Sequence, residues 1–182
     1  DVCSSDLFDD AFSEKVYEDY LEALDYNKKY FLQSDIEQLA MYKTAIDDEI
    51  RHRSYNFFNF SLELFKARLE QSQRFYEDIL SQPFDFSRQE MYSTDQDKLE
   101  YAPDEQALQD RWRKQLKYQT LVRLVDKIRI IEKRTGQDYT FDFSTSGQYS
   151  KEDEELPLEE KSYGQIEAEV RKSLLKSQQS LY

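Results

Sequence analysis

The sequence predicts an all-α fold, an elongated helical bundle of about five helices with one long loop and one acidic linker. Three observations lead there. Only three Gly and three Pro occur in 182 residues, too few for the turns and bulges of a many-stranded protein. Apolar residues recur at spacings of three and four along most of the chain, the period of a helix with one buried face. Side chains able to cap a helix stand at the breaks between these stretches. At 22.0 kDa the chain buries about 70% of its unfolded surface on folding, so no disulfide is required.

The elements follow in order. In FSEKVYEDYLEAL, residues Phe12, Val16, Tyr17, Tyr20, Leu21 and Leu24 share one side of a helical turn and Glu14, Lys15, Asp19 and Glu22 the other, which predicts helix A. Asp25-Tyr26-Asn27 ends it, because short polar side chains bond their own backbone in preference to continuing a helix. Ser34 and Glu37 have capping-box spacing and predict the start of helix B, which runs to about Arg51 with Ile36, Leu39, Ile46 and Ile50 inward. Helix C is expected over Asn56–Ser81, with Phe58, Leu62, Phe65, Leu69, Tyr76 and Leu80 on its inner stripe. Its length of roughly 38 Å is the reason to expect an elongated module.

Residues 82–103 follow neither period and read as a loop laid across the helices by Phe84, Phe86, Tyr92 and Tyr101. Pro103 suits the first turn of helix D, which continues through Leu108, Trp112, Leu116, Leu121, Leu124, Val125, Ile128 and Ile131 to a left-handed cap at Gly136. The acidic stretch 137–161 contains KEDEE and reads as a mobile linker, within which FDF is expected to dock locally. Ser162 and Gln165 repeat the capping-box spacing and open helix E, with Ile166, Val170, Leu174 and Leu181 inward. Its pattern meets no stop signal before Tyr182, so the chain is expected to be an excised fragment.

Charge and motif content exclude several functions. A net charge of −13 repels a phosphate backbone, so nucleic acid is not an expected partner. The longest apolar runs are a few residues, against roughly 20 for a membrane span, and DVCSSDLFDD has neither the basic nor the apolar region of a secretory signal. Cys3 has no partner in the chain, and disulfide content therefore cannot report the compartment. One His and one Cys do not make a zinc site. Asp47-Asp48-Glu49 and Glu152–Glu155 lack a glycine-centred calcium loop, and neither a Gly-x-Ser-x-Gly elbow nor a Gly-rich phosphate loop occurs. No catalytic residue, metal ligand or cofactor site is therefore nominated. His52, at the end of helix B, suits the negative pole of a helix dipole.

Aromatic residues make up 15% of the chain, and most recur at core spacing. The run Tyr55, Phe57, Phe58 and Phe60 surrounds too much of a helix to face one way and is a candidate docking patch; burial against neighbours outside this chain is the plainer alternative.

The corner between helices A and B, LDYNKKYFLQSDIEQL, resembles a segment near the start of tail-specific proteases, also called carboxy-terminal processing peptidases. There a Leu-Asp corner, an aromatic-rich turn and a Ser-Asp helix start occur in that order, here as Leu24, Asp25, Tyr30, Phe31, Leu32, Ser34 and Asp35. DDAFSEKVYEDYLEALD is similar to the preceding helix of that family, QPFDFSRQEMYSTD to its loop, RWRKQLKYQTL with Trp112 to the helix that follows, and SYGQIEAEVRKSL to its closing helix. The resemblance implies a main helical domain over residues 9–136, the linker at 137–161, and a last helix at 162–182 leading to modules not included here. Residues 1–8 stand apart from it, and DVCSSDL resembles translated sequencing-adapter peptides, so Cys3 is not counted as native.

What the resemblance implies is the N-terminal helical domain of a periplasmic serine endopeptidase that degrades proteins from their C-termini. In that family the domain precedes a PDZ module and a catalytic core with a Ser-Lys dyad, helps to build a vault around the protease, and offers surface to protein substrates or an adaptor protein. The expected partners are thus the rest of the protease chain and such proteins, and the chain by itself is expected to be inactive. The competing reading is a free-standing helical binding or scaffold module.

Overall fold

Long amphipathic stretches separated by short capped breaks fold into helices. The computed structural model describes residues 8–95, 98–141, 150 and 152–180. Its elements are α1 (Asp10–Asp25), α2 (Gln33–Leu39) continued by a 3-10 turn (Ala40–Tyr42), α3 (Ile46–His52), α4 (Asn56–Ser81), α5 (Glu105–Thr135), the short α6 (Glu152–Glu155), a second 3-10 turn (Leu158–Glu160), and α7 (Tyr163–Gln179). Among the described residues the only β pairing is an isolated parallel bridge between Leu32 and Ala102. Two packing units share these helices: residues up to 72 with 93–111, and 73–92 with 112–182. Helices α4 and α5 each run through both.

In the first unit, Asp9 caps α1 by accepting the Phe12 N–H at 2.8 Å. Tyr17 and Leu21 then pack with Phe31, Leu39, Ile46 and Phe57 as the buried core. Ser13 is fully buried between α1 and α3, donating its hydroxyl to the Asp47 carboxylate and accepting the Asp47 N–H, both at 2.8 Å.

Two expectations for helix B are corrected here. The helix is broken into α2, the 3-10 turn and α3, because Tyr42 turns its ring into the core, 5.9 Å from that of Phe57 and 6.1 Å from that of Phe60. Its start is set by Asp35 and not by the Ser34–Glu37 pair. The Leu32 N–H donates to the buried Asp35 carboxylate at 2.8 Å, while Ser34 and Glu37 are both exposed.

The inner register of α4 also differs from the expected one at its start. Phe57 is 5% exposed and Phe58 49%. The buried face continues through Ser61 and Ser72, whose hydroxyls return to the carbonyls of Phe58 and Leu69 at 3.0 and 2.8 Å. Small serines satisfied by their own helix fit where α4 packs closely, and a search for bulky apolar residues passes over them.

The second unit buries Tyr76 and Leu80 of α4, Trp112, Leu116, Thr120, Leu124, Ile128 and Ile131 of α5, and Ile166, Val170 and Leu174 of α7. The rings of Tyr76 and Trp112 lie 6.3 Å apart. Leu121 and Val125, expected inward, are exposed, because Thr120 takes the inner position and bonds the Leu116 carbonyl at 2.8 Å. Pro103 stands outside α5: Asp104 is the cap, accepting the Ala107 N–H at 2.8 Å. Gly136 ends α5 with φ +67°, as its left-handed cap requires.

Ser162 and Gln165 form the expected capping box of α7. Glu167 and Arg171 make a buried pair at 2.8 Å. Glu167 also accepts the Phe84 N–H and Arg171 donates to the Leu80 carbonyl, fixing the chain just after α4. From the linker, Phe141 sets its ring against Tyr163 at 6.0 Å. The rest of FDF, residues 1–7 and Leu181 lie outside the described residues.

Candidate functional site

The quoted corner is built from the two aspartates outward. Asp25 is the last residue of α1 and is 3% exposed. One carboxylate oxygen accepts the Lys29 N–H at 2.9 Å, and the other accepts those of Tyr30 and Phe31 at 3.0 and 2.9 Å. Three backbone donors of a tight turn thereby find an acceptor away from water. The turn itself passes through the left-handed region at Lys28, φ +46°. Burial pushes the Asp25 carboxyl above its usual range, while the same three N–H bonds pull it back. Phe31, fully buried, is the ring this turn delivers to the core.

Ten residues on, Asp35 is 1% exposed and holds Arg68 of α4 in a two-pronged pair, with Nε at 2.8 Å and Nη2 at 3.0 Å. Arg68 also donates to Gln71 Oε1 at 2.7 Å. Sequence reasoning missed Arg68, because no local pattern links positions 33 residues apart. Of the remaining signature residues, Leu32 and Trp112 are buried, Leu24 and Tyr30 are half-buried, and Ser34 faces solvent. These residues position backbone and core; none of them meets another in a reactive arrangement.

The aromatic run lies at the turn from α3 to α4. α3 ends at Arg53 in a left-handed conformation, φ +53°, and Glu49 reaches forward so that both its oxygens accept the Phe57 N–H at 3.2 Å. That cap orients the first turn of α4 with two rings inward and two outward. Phe57 is buried, 5.4 Å from the Tyr17 ring, and Phe60 is half-buried. Tyr55 is 66% exposed, and Phe58, though 6.3 Å from the Tyr20 ring, remains half open to solvent. The expected patch of four rings is thus a patch of two. Exposed Ile50 joins it.

Together with Val16, Tyr20 and Phe57 these side chains line a mainly apolar groove of about 290 Å³, with Arg53 and Glu49 at its edge. Its size suits one or two apolar side chains of a bound peptide. Val16, Tyr20 and Ile50 belong to this groove although they were read only as core residues; the break at Arg53-Ser54 was the signal that α3 ends there.

His52 bonds the Asp48 carbonyl through Nδ1 at 2.7 Å and closes the exposed end of α3. Among the described residues no group of three or more His, Cys, Asp or Glu is placed to hold a metal ion. No helix among them is long and apolar enough to cross a membrane.

A family model described as the tail specific protease N-terminal domain matches residues 3–181. The chain belongs to that family. The tail-specific protease of Haemophilus influenzae is 46% identical to it over 43 residues, a match that covers 23% of this chain and 6% of that protein. The family match begins at residue 3 and so reaches into the opening stretch that had been set apart. In this tail-specific protease N-terminal domain the signature corner positions backbone and core, and the α3–α4 groove is a concave apolar surface among the described residues.

Proposed function

We propose that this chain is the non-catalytic N-terminal helical domain of a periplasmic tail-specific serine endopeptidase, where it supports the vault around the protease and contributes contacts to protein substrates or an adaptor. The observation that carries this reading is the family match along residues 3–181. The groove at Ile50, Tyr55 and Phe58 supports the second part, since apolar side chains held open by a capped helix start are suited to anchoring a peptide.

In the full-length protease, Tyr55→Ser with Phe58→Ser is expected to lower kcat/KM for a protein substrate about tenfold, the loss of roughly one anchor contact. Cleavage of a short peptide that reaches only the catalytic core is expected to be unchanged. Equal loss on both substrates would assign the rings to stability alone, and no loss on either would remove the groove from substrate binding.

A further inference from the structure

Helix α1 also borders a cavity of about 400 Å³ that shares no lining residue with the α3–α4 groove. Tyr17, Tyr26 and Tyr101 supply its rings, and Leu21 and Ile36 an aliphatic wall. Tyr17 is buried, Tyr101 half-buried and Tyr26 53% exposed, so the rings grade from core to solvent. Glu18, Glu22 and Asp25 bring carboxylates to the lining and Lys28 an ammonium. The Lys28 Nζ donates to the Leu99 carbonyl and stands 5.6 Å from the centre of the Tyr101 ring. One ring of the lining thus already attracts a cation through its electron-rich face.

The other charges nearby are engaged as follows. Lys43 pairs with Glu18 at 3.0 Å. Lys29 acts on Asp25 and sets its Nζ 4.8 Å from the Tyr30 ring. Arg111 donates to the carbonyls of Lys28 and Glu100. With these cations in place the cavity still has a negative field at Tyr101: burial first, then Asp25 and Glu22, push that phenol up to about 12. Glu18 likewise adds to burial in raising Tyr17. An anion is therefore disfavoured, and a wholly apolar ligand would take water from the carboxylates without answering them.

The shape of the mouth indicates the carrier. Glu18, Glu22 and Tyr26 follow one another at intervals of four, all exposed, and form one ridge along α1. At 1.5 Å per residue that ridge is ~12 Å long. A free amine would use only part of it, whereas an extended polypeptide can follow it while one side chain enters the cavity. We infer that this cavity receives a lysine side chain of a bound polypeptide, its methylenes on Leu21 and Ile36 and its ammonium among the tyrosine rings and the carboxylates of Glu18 and Glu22. The inference does not depend on the role given to the α3–α4 groove.

An NMR titration of the whole chain, read at the backbone amides of Glu22, Tyr26 and Tyr101, tests it. The probe is a short alanine peptide with one central lysine and both ends blocked; its controls carry Nε-acetyl-lysine or glutamate at that position, and butylamine stands for a free amine. Saturable shifts are expected with the lysine peptide, affinity about tenfold weaker for the acetylated peptide and for butylamine, and no saturation with the glutamate peptide. Tyr26→Leu with Glu22→Gln alters only exposed positions and keeps an apolar side chain at the mouth. It is expected to weaken the lysine peptide about tenfold while circular dichroism keeps the wild-type helix signal. No saturable shift with the lysine peptide, equal affinity for its acetylated form, or unchanged affinity in the folded variant overturns the proposal. So does butylamine binding as tightly as the lysine peptide, in favour of a free amine.

Discussion

Asp25→Ala is expected to cost about 2–4 kcal/mol of folding stability, read as a shift in the urea or thermal unfolding midpoint. The substitution leaves the N–H groups of Lys29, Tyr30 and Phe31 without their acceptor. The donor of Phe31 is buried, so water cannot take over there at no cost. Against a typical total of about 5–15 kcal/mol for a domain, this is a large fraction. Asp25→Asn keeps the volume but turns one acceptor into an amide donor facing N–H groups, and a loss nearly as large is expected.

The Asn variant also carries a pH test. Burial raises the folded-state pKa of Asp25 above that of the unfolded chain. The native state therefore holds the proton more tightly. Its contribution to stability is complete below the unfolded pKa and declines as pH rises through the raised value. Asp25→Asn is expected to remove that slope, which a series of denaturant midpoints across the acidic range will read.

Arg68→Ala is expected to cost about 3–5 kcal/mol, because it leaves the Asp35 carboxylate buried with its charge unanswered. The Asp35 side chain is 2% exposed and that of Arg68 18%, so solvent gives little screening. Arg68→Lys keeps the charge but loses the fork that reaches both oxygens, and an intermediate loss follows. The double variant Asp35→Ala with Arg68→Ala is expected to be less destabilised than the two single losses added together, since no lone buried charge remains. The Leu32 N–H still loses its acceptor in that variant, which keeps it below wild type. Additive losses would show that the pair is not coupled.

Much of the fold was legible because helix signals are local. The limits of α4 and the capping box of α7 follow from spacing and from side chains a few residues away. What failed depended on contacts far along the chain. Tyr42 breaks helix B to reach Phe57 and Phe60. Ser61 and Thr120 take inner positions that apolar neighbours were expected to hold, which turns Phe58, Leu121 and Val125 outward. The docking patch was half legible: the excess of rings around α4 was visible, but which pair faced out depended on the Glu49 cap that fixes the helix entry. The backbone-bonding role of Asp25 was legible in Asp25-Tyr26-Asn27, whereas that of Asp35 was visible only as a resemblance; in the structure one carboxylate organises the turn and the other ties it to α4.

Native-state hydrogen exchange at the Lys29, Tyr30 and Phe31 amides tests most directly whether this corner is a folding element. The Phe31 amide, outside any helix, is expected to exchange only on global unfolding, with Lys29 and Tyr30 well protected beside it. Exchange of all three at the rate of an open loop, with the helices still protected, would contradict it.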